Sequence, residues 1–164
     1  MDQYDNPMAR YSLVLDDAGR VVAGAHAMST TAKWGDHTYM LKDAMTGKLG
    51  TIPNNLLSEI VDCPKVWECT RLVMAPEIKS MWGRLQCLDL IVGGLMDMAT
   101  AEGAKRMMLL SNLWVLRALK RLGYGAKFLG QPYENGDDGH KYAVIRIPAR
   151  RKHVASPVLE MSAA

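Results

Sequence analysis

The sequence contains a single phenylalanine and only three cysteines in 164 residues. Cys63, Cys69 and Cys87 are odd in number and form no Cys-x-x-Cys pair. That spacing argues against a disulfide framework and excludes a cysteine zinc site. They read as reduced, mostly buried thiols of a cytoplasmic protein. His26, His37, His140 and His153 show no metal-ligand spacing, so no metal is expected. Long apolar runs are also lacking. The best candidate, residues 81–101, is broken by Arg84, Asp89 and Asp97. That marks a core helix and excludes a membrane span. The start, Met1 to Arg10, is polar and acidic, unlike a signal peptide. There is no internal repeat and no sign of a second domain. The net charge of +3 is small, and no nucleic-acid motif accompanies it.

What is abundant is methionine, at twelve residues. Met replacing Leu in the core is the stronger reading, ahead of an acyl-chain tunnel. Basic residues cluster at Arg117, Lys120, Arg121 and Lys127, and again at Arg146, Arg150, Arg151 and Lys152. Such clusters suit lipid, nucleic acid or an acidic protein, with nucleic acid the weakest fit. The length suits one domain, taken as residues 1–148, followed by a mobile tail of basic and small residues over 149–164.

The pattern predicts strands at Tyr11–Leu15 and Arg20–Met28, joined by an Asp16-Asp17-Ala18-Gly19 hairpin turn. Short helices are expected at Thr38–Met45 and Asn54–Val61. Val66–Met74 is a central strand, ended by Pro76. Lys79–Glu102 is a long helix, apolar on most sides and so expected to be sandwiched, with Gly103 closing it. Then come a strand at Arg106–Ser111 and a basic amphipathic helix to Leu122, capped by Ser111 or Asn112. A short strand at Ala126–Leu129, an acidic turn and a last strand at Tyr142–Ile147 complete the series. A meander followed by a β-α-β crossover implies an α/β fold with a mixed, twisted sheet and helices on both faces. This order resembles the Gcn5-related N-acyltransferase αβα sandwich. The Arg/Gln-x-x-Gly-x-Gly phosphate loop of acetyl-CoA enzymes is not found, since Ala75-Pro76-Glu77-Ile78-Lys79-Ser80-Met81-Trp82-Gly83 stands there.

Within the central strand, Val66-Trp67-Glu68-Cys69-Thr70-Arg71-Leu72-Val73-Met74, two charges lie among apolar residues. Alternation puts Glu68 and Thr70 on one face and Arg71 on the other. Charges in such a place need partners. Asp2 and Asp5 are candidates for Arg71, and a substrate amine or a water for Glu68. A plain buried ion-pair strand competes evenly with a functional one.

Several segments together resemble the acyl-homoserine-lactone synthases, the LuxI-type autoinducer synthases of quorum sensing. They are Asp2-Gln3-Tyr4-Asp5, Arg10-Tyr11, Ser29-Thr30-Thr31, Tyr39-Met40-Leu41-Lys42-Asp43 and Glu68-Cys69-Thr70-Arg71. The resemblance runs in register to Met74 and more loosely to about Leu122. It implies transfer of an acyl group from acyl carrier protein, or from CoA, to the amine of S-adenosylmethionine. Both molecules are substrates, and no cofactor is implied. Glu68, on the open face of the strand, would then take the amine proton, directly or through water, with Thr70 beside it. Backbone amides between Val73-Met74 and Leu109-Leu110 would hold the thioester oxygen. Asp2, Asp5, His26, Arg71, Met74, Ser111 and Trp114 would bind substrate, Trp114 flanking the pantetheine arm. Arg117, Lys120 and Arg121 would dock the acidic carrier protein.

Three departures shape the expectation for the acceptor. Family members carry an N-terminal segment with an Arg, a Phe and a Trp, whereas this sequence starts at the Asp2 motif. His26 also stands where the family has Arg, and the turn lacks its Pro. An open nucleoside pocket and weak S-adenosylmethionine binding are therefore expected. A carrier-dependent acyltransferase with another amine acceptor, such as an amino acid, is the alternative, as is a non-catalytic acyl or carrier-binding relative. On residue type alone, His26 suits a satisfied core position better than acid–base work, and Trp34 and Trp82 suit core packing.

Overall fold

The computed structural model describes residues 3–150. Asp2 and most of the predicted tail lie outside the described residues. The chain runs β1 (Arg10–Leu15), β2 (Val21–Ser29), α1 (Met40–Met45), β3 (Val66–Met74), α2 (Met81–Ala101), β4 (Arg106–Asn112), α3 (Leu113–Arg121), β5 (Lys127–Phe128), β6 (Tyr133–Glu134) and β7 (Lys141–Pro148). The strands form one seven-stranded sheet in the order β1-β2-β3-β4-β7-β5, with β6 also on β7. Only β3 and β4 are parallel. That pair is the one joined by a helical crossover, through α2, as parallel neighbours require.

Each strand alternates its apolar residues between two cores. Ala23, Ala25, Ala27, Trp67, Met107, Leu109, Ile145 and Ile147 face α2 and α3. Met28, Val66, Met108 and Val144 face α1 and the loops around it. Close approach helps the first layer pack: a Cβ on Gly94 of α2 would lie 2.5 Å from Ser12 Oγ of β1. The hairpin turn is as the sequence predicts, with Gly19 at φ 77°.

Two expected features differ. Asn54–Val61 forms no helix. An eight-residue segment gains little from helix nucleation, and here Leu56 and Leu57 are buried in the core beneath α1. The long helix is not sandwiched either. Met81, Trp82 and Leu90 are exposed along its outer side, because α2 covers the sheet in a single layer. Trp34 is exposed as well, so neither Trp34 nor Trp82 is a core residue.

Candidate active site at the splayed strands

β3 and β4 separate before either ends. They pair from Val66↔Arg106 to Cys69↔Leu109, then β3 continues to Met74 and β4 to Asn112. The opening therefore begins at Cys69, several residues ahead of the Val73-Met74 position expected from the sequence. A cleft of about 380 Å³ fills the gap. Its walls include Thr70, Arg71, Leu72, Met74, Leu109 and Ser111. Because Leu72 and Leu109 belong to the α2 side and Met40 and Leu110 to the α1 side, the cleft reaches both faces of the sheet.

A bulge re-aims β3 at this point. His26↔Thr70 and Gly24↔Val73 are paired, so Ala25 alone opposes Arg71 and Leu72. Arg71 takes φ 60°, the one non-glycine residue with positive φ among those described. A left-handed Arg is strained, and such residues concentrate at functional sites. The bulge also reverses the alternation beyond it. Leu72 and Met74 turn to the α2 core, and Val73 turns out to solvent. Alternation and the apolar flanks predict a buried Arg71 side chain. Its side chain is instead exposed and lines two clefts.

The second cleft, also about 380 Å³, lies on the α1 side over β1 and β2. Asp5, Tyr11, Leu13, Gly24, His26 and Val73 help line it, and it shares Ala25 and Arg71 with the first. His26 is 1 % exposed. One ring nitrogen, Nε2, is in hydrogen-bond contact with Thr70 Oγ1. The other, Nδ1, has no hydrogen-bond partner and lies 4.0 Å from Asp5 Oδ1. Tyr11 donates its hydroxyl to that same Asp5 oxygen at 3.1 Å, and its ring sits 5.3 Å from the imidazole. Burial holds the His26 pKa below the usual histidine value, and the Asp5 charge opposes that.

Glu68 is placed otherwise than expected. It faces the α1 core, 1 % exposed, and does not open onto either cleft. Its carboxylate accepts the backbone N–H of Met40 at 2.7 Å and of Leu41 at 2.8 Å. Tyr39, the residue at the α1 N-cap, makes no side-chain cap. Glu68 thus caps the helix from a distant strand. Burial pushes its pKa up to about 8, against the two N–H donors, which lower it, and with Asp43 nearby raising it. Asp43, equally buried, goes the other way. Burial raises its pKa, but hydrogen bonds from Thr38, His37 and Tyr4 outweigh that and hold it below the usual carboxylate value.

At the far wall, Asn112 caps α3 by accepting from the Trp114 and Val115 N–H groups, which decides between the two predicted caps. Trp114 lines the first cleft with the Arg84 guanidinium 5.5 Å over its ring. Ser111 and Met74 line the same cleft. Arg117, Lys120 and Arg121 are all exposed on the α3 surface beyond it. The structure thus gathers Asp5, His26, Thr70, Arg71, Met74, Ser111 and Trp114 around two joined clefts, and leaves Glu68 beneath them. Sequence reasoning missed Arg84 and Tyr142 as lining residues. It also missed the bulge, for which a non-glycine at positive φ gives no sequence signal.

No group of three or more His, Cys, Asp or Glu that could hold a metal occurs among the described residues. No helix among them is long and apolar enough to cross a membrane.

Neither a family model nor a curated protein matches the sequence. Solved structures do match the fold. The ternary complex of TofI with an inhibitor and MTA has a TM-score of 0.72 at 21% identity, over 91% of this chain and 68% of that one. BjaI, a CoA-dependent acyl-homoserine lactone synthase solved with SAM and isopentyl-CoA, gives 0.67 at 19% identity, over 92% and 63%. Nourseothricin acetyltransferase gives 0.54 at 14% identity, over 88% and 67%. The α/β sandwich with a splayed parallel pair thus has a Gcn5-related N-acyltransferase-like fold. The chain is more similar in fold to TofI and to the acyl-homoserine lactone synthase BjaI than to this acetyltransferase.

Proposed function

We propose that the chain is an acyltransferase that moves an acyl group from a thioester on acyl carrier protein or CoA to the amine of S-adenosylmethionine. The observation that carries this reading is the pair of clefts meeting at Arg71 and Ala25. The first opens between the splayed strands, where backbone amides freed from pairing can donate to a thioester oxygen. The second holds Asp5, a carboxylate suited to a cationic acceptor. A donor in one and an acceptor in the other bring their reacting ends together at Thr70 and Arg71, which converts a bimolecular step into an oriented one. The sulfonium charge on S-adenosylmethionine fits Asp5. BjaI, with SAM and isopentyl-CoA bound, supports the substrate pair by likeness of fold.

Glu68 contributes by fixing Met40, whose side chain lines the donor cleft, and not as a group open to substrate. Arg117, Lys120 and Arg121 offer the carrier protein a cationic face beside Trp114. An amino-acid acceptor is the second reading. It is favoured by the apolar Leu13, Val21 and Val73 in the second cleft, which suit an aliphatic side chain.

The test is mass spectrometry of the purified chain incubated with octanoyl carrier protein or octanoyl-CoA and S-adenosylmethionine. Methylthioadenosine together with an N-octanoyl lactone supports the first reading. An N-octanoyl amino acid, formed when amino acids replace S-adenosylmethionine, supports the second. Intact thioester under all conditions refutes both.

A further inference from the structure

The proposed transfer needs a group to take the acceptor's proton, and the Glu68 carboxylate does not reach either cleft. This inference rests on the acyl-transfer reading and identifies a different proton path. We propose that the amine proton leaves through the Thr70 hydroxyl to Nε2 of His26, and that Asp5 faces the positive charge created on the ring.

Three observations converge. Thr70 lines the donor cleft, and its Oγ1 is in hydrogen-bond contact with His26 Nε2. His26 is 1 % exposed and does not line the donor cleft itself, whereas its hydrogen-bond partner Thr70 does. Its Nδ1 is buried with no hydrogen-bond partner and points toward Asp5, 4.0 Å away. A buried polar atom without a partner is costly in a folded protein and calls for a reason. A proton relay supplies one. For Nε2 to accept from Thr70, the neutral ring carries its hydrogen on Nδ1. When Nε2 is protonated and the ring becomes a cation, a closure of roughly 1 Å brings Nδ1–H to the ~2.9 Å of a hydrogen bond with the Asp5 carboxylate. This is the nucleophile–base–orienter order found in hydrolytic triads, here used to move a proton.

The neutral amine nitrogen attacks the thioester carbonyl carbon, and a C–N bond forms. The resulting N–H proton passes to Thr70 Oγ1 as the hydroxyl proton passes to His26 Nε2. The tetrahedral adduct then collapses and the C–S bond breaks. The Nε2 proton returns through Thr70 to the departing sulfur. Thioester and amine become amide and thiol, and His26 ends neutral. Burial favours that neutral resting state. The groups facing the ring are Asp5 from the N-terminal loop, Tyr11 from β1, and Thr70 and Arg71 from β3. Asp5 stabilises the charged ring.

The test uses the full chain with ¹⁵N-labelled histidine. NMR should show the Nδ1–H tautomer for the neutral His26 ring. Thr70→Val should shift the Nε2 resonance and leave the other histidines unchanged. Asp5→Asn should lower the His26 titration midpoint. In acyl transfer with octanoyl-CoA, Thr70→Val and His26→Gln should each lose about 10²-fold in kcat. Their double variant should lose no more than either alone, and Thr70→Ser should retain most activity. The acid limb of kcat/KM should move to lower pH in Asp5→Asn. An Nε2–H tautomer overturns the relay, as does a His26 midpoint unmoved by Asp5→Asn, or additive losses in the double variant. If the wild type transfers no acyl group, the acyl-transfer reading fails by itself. The tautomer and midpoint then still decide whether Thr70, His26 and Asp5 are coupled.

Discussion

Along β3, Val66 to Cys69 is hydrogen-bonded to neighbours on both sides, whereas Thr70 to Met74 keeps only β2. The first half buries its carboxyl group. Glu68 is enclosed and both of its oxygens accept backbone N–H groups. The second half exposes its charge on a strained residue, Arg71 at φ 60°. Two residues of one short motif therefore differ in kind. One organises the fold, and the other stands where two clefts meet. The motif alone could not separate them, because both charges share the same apolar flanks. What separates them is the partner strand: where β4 continues the ladder the side chain is enclosed, and where β4 departs it is released.

The largest effect should come from the closed half. Glu68→Leu strips the α1 backbone of its acceptor and leaves the Met40 and Leu41 N–H groups unpaired. A loss of about 3 kcal/mol is expected by chemical denaturation. A wild-type midpoint in that variant would show that the carboxylate is dispensable to the fold.

The same residue should also set a pH dependence. The folded carboxyl titrates at about 8 against 4.5 in the unfolded chain. Its stabilising contribution, carried by the neutral form, is full below 4.5 and lost as pH rises through about 8. Asp43 has the opposite sign, being lowered in the fold. Its contribution is present at neutral pH and lost as pH falls through its folded pKa. Denaturant midpoints should therefore fall from pH 5 to 8 in the wild type relative to Glu68→Gln. A parallel pair of curves would mean that Glu68 titrates alike in both states.

Much of the fold was legible because alternation and helix periodicity dictate it. Arg10–Leu15, Val21–Ser29, Val66–Met74 and Arg106–Asn112 carry patterns that only a two-faced sheet satisfies. The capping Asn112 and the turn at Gly19 were legible for equally local reasons. The candidate site was legible only in composition. Asp5, His26, Thr70 and Arg71 were named, but alternation carried past the bulge put Arg71 in the core. Glu68 was read as open to substrate for another reason, since the α1 backbone that covers its face lies about 27 residues away in sequence. A bulge is decided by pairing with Gly24 and Ala25, far away in sequence, and no local signal reports it. Asn54–Val61 failed for a related reason, since the burial of Leu56 and Leu57 outweighs local propensity.

In the open half, Arg71→Gly should separate strain from function. Glycine takes positive φ at no steric cost, so stability should rise by about 0.5 kcal/mol after the added freedom of the unfolded chain is counted. Acyl transfer should nevertheless fall, because the side chain shared by the two clefts is gone. Lower stability in this variant would mean that contacts of the Arg71 side chain outweigh the backbone strain.

The smallest effect on the fold, and a selective one on function, is expected at α3. Val115, Leu116, Ala118 and Leu119 of this helix are buried, while Arg117, Lys120 and Arg121 project from the opposite side. Reversing the three charges removes no packed atom from the core, so stability should stay within about 0.5 kcal/mol. The carrier protein is acidic, and exposed charges act on it mainly by steering and orienting the encounter. KM for the carrier-bound donor should therefore rise about tenfold while kcat holds. The rise should shrink as salt is added, because charges separated by more than about 10 Å are screened at 0.1 M. The same acyl group on CoA is the control, since it lacks the carrier's surface and should be used almost equally well by both proteins. Equal KM values for the carrier-bound donor in wild type and variant would remove α3 from the docking face. They would leave the clefts of the splayed strands as the whole of the donor site.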